Sequence, residues 1–108
     1  MAVPPVWSSR LAALNVTVAS AWETLYTVPS GRVAIVKTVT VQNNSAGSMD
    51  LYIGLNANQA MHKIVGLATI STAEWDTWVV LEDGDTLDAF LSAQPAAFTV
   101  HGQLLTLP

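Results

Sequence analysis

The sequence has no cysteine among its 108 residues. A disulfide framework, a thiolate metal site and a thiol nucleophile are therefore excluded. Charged residues are scarce as well: they make up 11% of the chain, against roughly 25% in an ordinary soluble domain. Hydrophobic residues make up 51% and the mean hydropathy is +0.40. We expect a core plus apolar surface that other protein covers, hence an oligomer or assembly component; the alternative is a monomeric β protein coated with Thr, Ser and Asn.

Positive charge is especially sparse. The net charge is −4, and four scattered cations cannot build the stripe that neutralises phosphates, so nucleic acid is excluded as a partner. No apolar run approaches the roughly 20 residues of a spanning helix, so we expect no membrane segment. Residues 1–5 also lack the basic and apolar regions of a signal peptide. The cations are Arg10, Arg32, Lys37 and Lys63.

Hydrophobic residues alternate with a period of two, which indicates β-strands. The longest candidate strand covers residues 32–43, and Lys37 falls on the same face as several aliphatic residues. A β-bulge or an edge position would explain that lysine. Residues 58–71 fit either a strand pair or a short helix. The aliphatic residues that share the face with Lys37 are Val33, Ile35, Val39 and Val41.

Turn signals recur on the order of every 10 residues, as in sandwiches and barrels. They include Pro29-Ser30-Gly31 and Asp83-Gly84, while residues 43–48 read as a loop. The pattern predicts an all-β, antiparallel, jelly-roll-like β-sandwich of about eight strands. We assign residues 14–108 to this single domain and residues 1–13 to an extended N-terminal arm, because consecutive prolines favour an extended path.

Nothing in the sequence marks a catalytic centre, so we expect no enzyme, no cofactor and no metal. His62 and His101 have no motif around them, and a two-histidine metal site is unsupported. Six of the eight acidic residues lie between positions 74 and 88 without EF-hand spacing. A charged turn that keeps a hairpin end soluble explains them better than a calcium loop.

Tryptophan and proline supply the candidate interface residues. Trp75 and Trp78 are three positions apart, so on a regular strand one faces the core and the other faces outward. Exposed tryptophan and tyrosine also suit stacking on sugar rings, which leaves a glycan-binding module as the alternative. The interface candidates are Pro4, Pro5, Trp7, Trp22, Trp75 and Trp78.

Four segments resemble one protein group. Residues 24–37, with Leu-Tyr-Thr-Val-Pro-Ser-Gly leading into the long strand, are similar to the opening of small tailed-phage virion proteins. Residues 41–45 fill the place of that group's Asn/Ser loop, residues 80–87 resemble its Leu-Glu-x-Gly-Asp-Thr-Leu turn, and residues 96–102 resemble its closing strand. The likeness covers about residues 22–104.

This resemblance implies a location in the virion, as a head decoration or fibre, a connector protein or a tail-associated subunit. The implied partners are other virion proteins and copies of the chain itself, with a trimer as one arrangement that suits a jelly roll. A receptor- or glycan-binding module of a tail or fibre is the alternative. The group supplies no catalytic residues to carry over.

Overall fold

The computed structural model describes residues 9–57 and 59–106. Within those ranges it contains eight β-strands and no helix, and hence no helix that could cross a membrane. The strands are β1 (Ser9–Val16), β2 (Trp22–Thr27), β3 (Arg32–Asn43), β4 (Met49–Leu55), β5 (Gln59–Leu67), β6 (Thr72–Leu81), β7 (Thr86–Leu91) and β8 (Ala96–Thr106).

Two four-stranded antiparallel sheets form a sandwich. Sheet A has the order β1-β8-β3-β6 and sheet B has the order β2-β7-β4-β5. Most connections cross from one sheet to the other, so that neighbours in a sheet are distant in sequence, which is the jelly-roll arrangement. The predicted all-β sandwich and its strand number are confirmed.

The core lies between the sheets and follows from the two-residue period. Inward side chains from both sheets form one apolar cluster, and burying each large aliphatic or aromatic side chain contributes about 1.5–3 kcal/mol. The bulkiest members are fully buried: Phe98, Met49, Leu51, Ile53, Leu81, Leu87 and Leu91.

A β-bulge interrupts the long strand β3 at Lys37. The pairing of β3 with both β6 and β8 shifts register between Val36 and Thr38. Since β3 lies between two partners, the bulge and not an edge position accommodates this lysine. Gly102 of β8 makes the distortion sterically feasible, because a Cβ there would lie 2.0 Å from the carbonyl oxygen of Ile35.

The bulge reverses which residues of β3 face the core. Beyond it, Val39 is fully buried as predicted, but before it Val36 is fully buried and Ile35 is not. The predicted single aliphatic face was therefore wrong for Val33 and Ile35, which lie on the outer face of sheet A.

The bounds of the strands bear on two other sequence predictions. β1 begins at Ser9, five residues before residue 14, where we placed the start of the domain. A register shift after Arg10 interrupts the two-residue alternation in this strand. The uncertain stretch 58–71 contains strand β5 and a turn into β6. Pro4, Pro5 and Trp7 lie outside the described residues.

The acidic turn holds one end of the sandwich together. Gly31 and Gly84 have positive φ values of 75° and 83°, as their turns require. The backbone N–H of Gly31 donates to a carboxylate oxygen of Asp83 (3.0 Å), and the side-chain amide of Asn56 donates to Asp85 (3.2 Å). Acidic side chains thus connect three loops at this end.

A buried polar cluster closes the opposite end. The side-chain amide of Asn43 donates to the carbonyl oxygens of Gly47 (2.9 Å) and Leu67 (2.8 Å). Its oxygen accepts from the backbone N–H of Ser45 (2.8 Å) and from the Ser45 hydroxyl (2.6 Å). Asn43 is fully buried, so these bonds replace the water it loses.

Candidate assembly surfaces

An apolar patch covers one half of the outer face of sheet A. Cross-strand pairing places Val33 beside Leu105, and Ile35 beside Val80, on the same face. Val80 is 59% exposed and Leu105 is 45% exposed. We call this surface, which Trp78 extends, the apolar patch; its members are Val33, Ile35, Trp78, Val80 and Leu105.

Trp78 dominates the apolar patch. It is 72% exposed on the edge strand β6, two residues from Val80 and therefore on the same side of that strand. The Lys37 ammonium lies 5.0 Å from the centroid of its ring, which is a cation–π geometry that steadies the indole without covering its other face. A large ring is thus held where another protein surface could cover it.

The other half of the same face is polar. Across strands, Thr38 pairs with Asp76 and His101, and its hydroxyl donates to Asp76 (3.2 Å). Glu74 lies two residues from Asp76, and the hydrogen bond and negative charge of Asp76 raise the pKa of Glu74. We call this surface the polar half; its members are Thr38, Thr40, Glu74, Asp76, Thr99 and His101.

An aromatic groove lies on the outer face of sheet B. Trp22, Phe90 and Tyr52 are cross-strand neighbours on β2, β7 and β4. Phe90 makes edge contacts with both other rings, at centroid distances of 5.7 Å to Trp22 and 6.3 Å to Tyr52. Together with Ala60 they line a shallow groove of about 250 Å³, which we call the aromatic groove.

The groove exposes carbon surface with few polar groups. Its four lining side chains carry only the Tyr52 hydroxyl and the Trp22 indole N–H. The Lys63 ammonium lies 5.2 Å from the Tyr52 ring centroid and borders the site with positive charge. This volume is below the roughly 300–1,000 Å³ of typical small-molecule pockets, so the groove suits a few side chains.

The structure separates the predicted interface residues. Trp78 is exposed in the apolar patch and Trp22 is half-buried in the aromatic groove, on opposite faces of the sandwich. Trp75 packs against the core and stacks on His62 at 5.0 Å and 1°. The predicted contrast between Trp75 and Trp78 is therefore confirmed.

Sequence reasoning missed most residues of both surfaces. Tyr52 and Phe90 each lie on a strand whose alternation does not mark them as site residues. The groove can be recognised only once β7 is known to pair with β4, and these strands are 30 or more residues apart in sequence. Val80 and Leu105 follow the unbroken alternation of β6 and β8, but only the bulge in β3 places Val33 and Ile35 beside them on the outer face. Trp22 and Trp78 were identified because tryptophan itself is the signal.

The two histidines lie in different sheets. His62 is on β5 of sheet B, stacked on Trp75, and His101 is on the outer face of sheet A beside Thr38. Among the described residues no group of three or more His, Cys, Asp or Glu side chains is placed to hold a metal ion.

Three solved structures resemble this fold. The capsid of Helicobacter pylori bacteriophage KHP30 matches with a TM-score of 0.65 and 13% identity over 94% of each chain. Bacillus endospore appendages, described as disulfide-linked pili, match at 0.55 and 16% over 94% of this chain and 88% of theirs. The capsid asymmetric unit of cyanophage Pam1 matches at 0.53 and 16% over 100% and 93%.

The likeness is one of fold. No protein-family model and no curated protein matches the sequence. The sandwich is nevertheless the β-fold found in these two phage capsid structures. The motif likeness at residues 24–37 and 80–87 stays a prediction.

Proposed function

We propose that this chain is a non-enzymatic structural component of a bacteriophage particle, located in the virion and held there by contacts with other protein. The observation that carries the proposal is the apolar patch, which the fold leaves open although its own core is complete. A contiguous exposed apolar surface with a polar border is typical of a protein–protein contact site.

The energetics favour covering this surface. An indole that is 72% exposed, when buried at an interface, supplies about 4 kcal/mol of gross hydrophobic free energy. Val80 and Leu105 add to it. That contribution offsets part of the translational and rotational cost of association.

The structural neighbours support a particle component over other assemblies. Two of them are phage capsid structures, and the chain matches nearly the full length of each. The third is described as forming disulfide-linked pili, and this chain has no cysteine with which to make such links. Head decoration or a capsid fibre is the position best supported; connector and tail-associated positions are the alternatives.

The test compares two double variants on one sheet face. Trp78→Ser/Val80→Thr alters the apolar patch, and Thr40→Ser/Thr99→Ser alters the polar half. In sedimentation velocity over a concentration series, the first variant should lose association at least tenfold and the control should match the parent. Mass spectrometry of purified phage particles should detect the chain; its absence from them, or a parent that stays monomeric, contradicts the proposal.

A second candidate function is glycan binding by a receptor-binding module of a tail or fibre. The observation that favours it is the aromatic groove, because aromatic rings can stack on sugar rings. Titration calorimetry against a panel of oligosaccharides would then give saturable binding that Tyr52→Ala abolishes. No binding across the panel removes this candidate.

A further inference from the structure

The aromatic groove has the lining of a site for proline-rich peptide. Aromatic-lined grooves recognise polyproline segments, whose backbone has no internal hydrogen bonds and therefore offers free carbonyl oxygens. The Trp22 indole N–H and the Tyr52 hydroxyl can donate to such carbonyls, and Phe90 and Ala60 add apolar surface to the same groove.

The chain itself contains a segment of this chemistry. Residues 3–7 read Val-Pro-Pro-Val-Trp, with no charged side chain. A polyproline helix has three residues per turn, so in that conformation Pro4 and Trp7 share a face. These residues lie outside the described part of the structure, two to six positions before the first residue of β1.

On the premise that the chain assembles as proposed above, we propose that the Pro4-Pro5 segment of one copy binds the aromatic groove of a neighbouring copy. The contact combines proline rings packed on the aromatic side chains with hydrogen bonds from Trp22 and Tyr52. It links copies through sheet B, whereas the apolar patch lies on sheet A.

The limited reach of the segment favours binding to the groove of another copy. Trp22 lies at the Val16 end of β1, because residues 17–21 join β1 to β2. The eight residues of β1 separate Ser9 from Val16 by about 23 Å. Pro5 is four positions before Ser9 and extends at most roughly 14 Å from it. At full extension Pro5 therefore falls about 9 Å short of the Val16 end of β1, which favours the groove of another copy.

The lining favours a peptide over a sugar. Sugar recognition needs several polar groups that converge on hydroxyls, and the four lining side chains offer two. The rings also meet at interplanar angles of 62° and 68°, so they form a ridged trough and not a flat stacking platform.

The first experiment fills the groove from its exposed rim. Ala60→Arg places a long charged side chain at an exposed lining position, and Ala13→Arg is the matched control at an exposed alanine on β1. A labelled synthetic peptide of residues 1–8 is titrated into full-length Pro4→Ser/Pro5→Ser protein, whose grooves have no competing segment. We expect saturable binding that Ala60→Arg weakens at least tenfold and Ala13→Arg leaves unchanged.

The second experiment tests exchange between copies. Full-length Ala60→Arg keeps its prolines, and full-length Pro4→Ser/Pro5→Ser keeps its groove. Each alone should associate at least tenfold more weakly than the parent in sedimentation velocity, while their equimolar mixture should regain a heterodimer. A mixture that associates no better than its components overturns binding between copies.

Failure of this inference is distinguishable from failure of the proposed function. Absence of peptide binding, or oligosaccharide binding that Ala60→Arg abolishes, overturns the inference. The chain can still be found in purified particles and can still depend on Trp78 for association, and in that case the proposed function stands.

Discussion

The two halves of the outer face of sheet A belong to the same strands, yet one is largely apolar, with Gln103 beside Ile35, and the other is polar. On one side of the bulge at Lys37, β3 presents Val33 and Ile35; on the other it presents Thr38 and Thr40. The polar half is what a solvated antiparallel sheet requires. The apolar half adds nothing to the enclosed core, and the protein contact proposed above would explain its composition.

This contrast separates two uses of hydrophobic residues. Val39 is fully buried and stabilises the monomer, while Val80 is 59% exposed and contributes little to the stability of the monomer. Hydrophobicity alone does not distinguish them. Their positions in the alternation of β3 and β6 do, and the predictions below test that distinction in order of decreasing effect.

The largest effect is expected from Gly102→Ala, which would disrupt the packing of β8 against the bulge in β3. The new Cβ would lie 2.0 Å from the Ile35 carbonyl oxygen and 3.1 Å from the Val36 Cα, so backbone must move. We expect a loss of more than about 3 kcal/mol in the free energy of unfolding, measured by urea denaturation. Gly47→Ala is the control, since nothing lies within 4 Å of a Cβ there; equal stabilities would refute the steric account.

Next in size is Asn43→Ala, which removes the polar side chain buried at the end of β3. The carbonyl oxygen of Leu67 and the N–H of Ser45 would lose the Asn43 side chain as a partner, and the carbonyl oxygen of Gly47 would keep only the Ser45 hydroxyl. We expect a loss of about 2–3 kcal/mol by urea denaturation. Asn15→Ala, at an exposed position, should stay within about 0.5 kcal/mol. Similar losses at both sites would mean that the buried bonds contribute little.

A matched pair of valines measures the contrast directly. Val39→Ala should cost about 2 kcal/mol because it leaves a cavity in the core. Val80→Ala should change the stability of the monomer by less than about 0.5 kcal/mol, yet weaken association. Denaturation at dilute protein gives the first quantity and sedimentation gives the second. A costly Val80→Ala in the monomer would place that residue in the core.

The smallest effect concerns pH in the polar half. The hydrogen bond and charge of Asp76 raise the pKa of Glu74, while the charge of His101 lowers it. The stabilising contribution of protonated Glu74 is therefore complete below the ordinary glutamate pKa and lost as the pH rises through the raised value. NMR titration should give Glu74 a midpoint above its ordinary value, and Asp76→Asn should lower it. An unchanged midpoint in that variant would exclude Asp76 as the cause.

The sequence predicted the sandwich because the two-residue period and the turn residues act locally. Gly31 and Gly84 have the positive φ values that their turns require, and β3 has the predicted extent. The composition of the two outer surfaces could not be predicted from local sequence patterns. A one-residue bulge reverses which residues of β3 face the core in one half of the strand. Lys37, a charged residue on an aliphatic face, indicated a bulge but not which half of the strand would be reversed. The groove depends on pairing between distant strands.

The bulge also has an evolutionary consequence. Ala34 and Val36 seal the interior beneath Val33 and Ile35, so surface substitutions at these outer positions leave the interior packing intact. A lineage of such chains could therefore change the neighbour it recognises through a few point mutations.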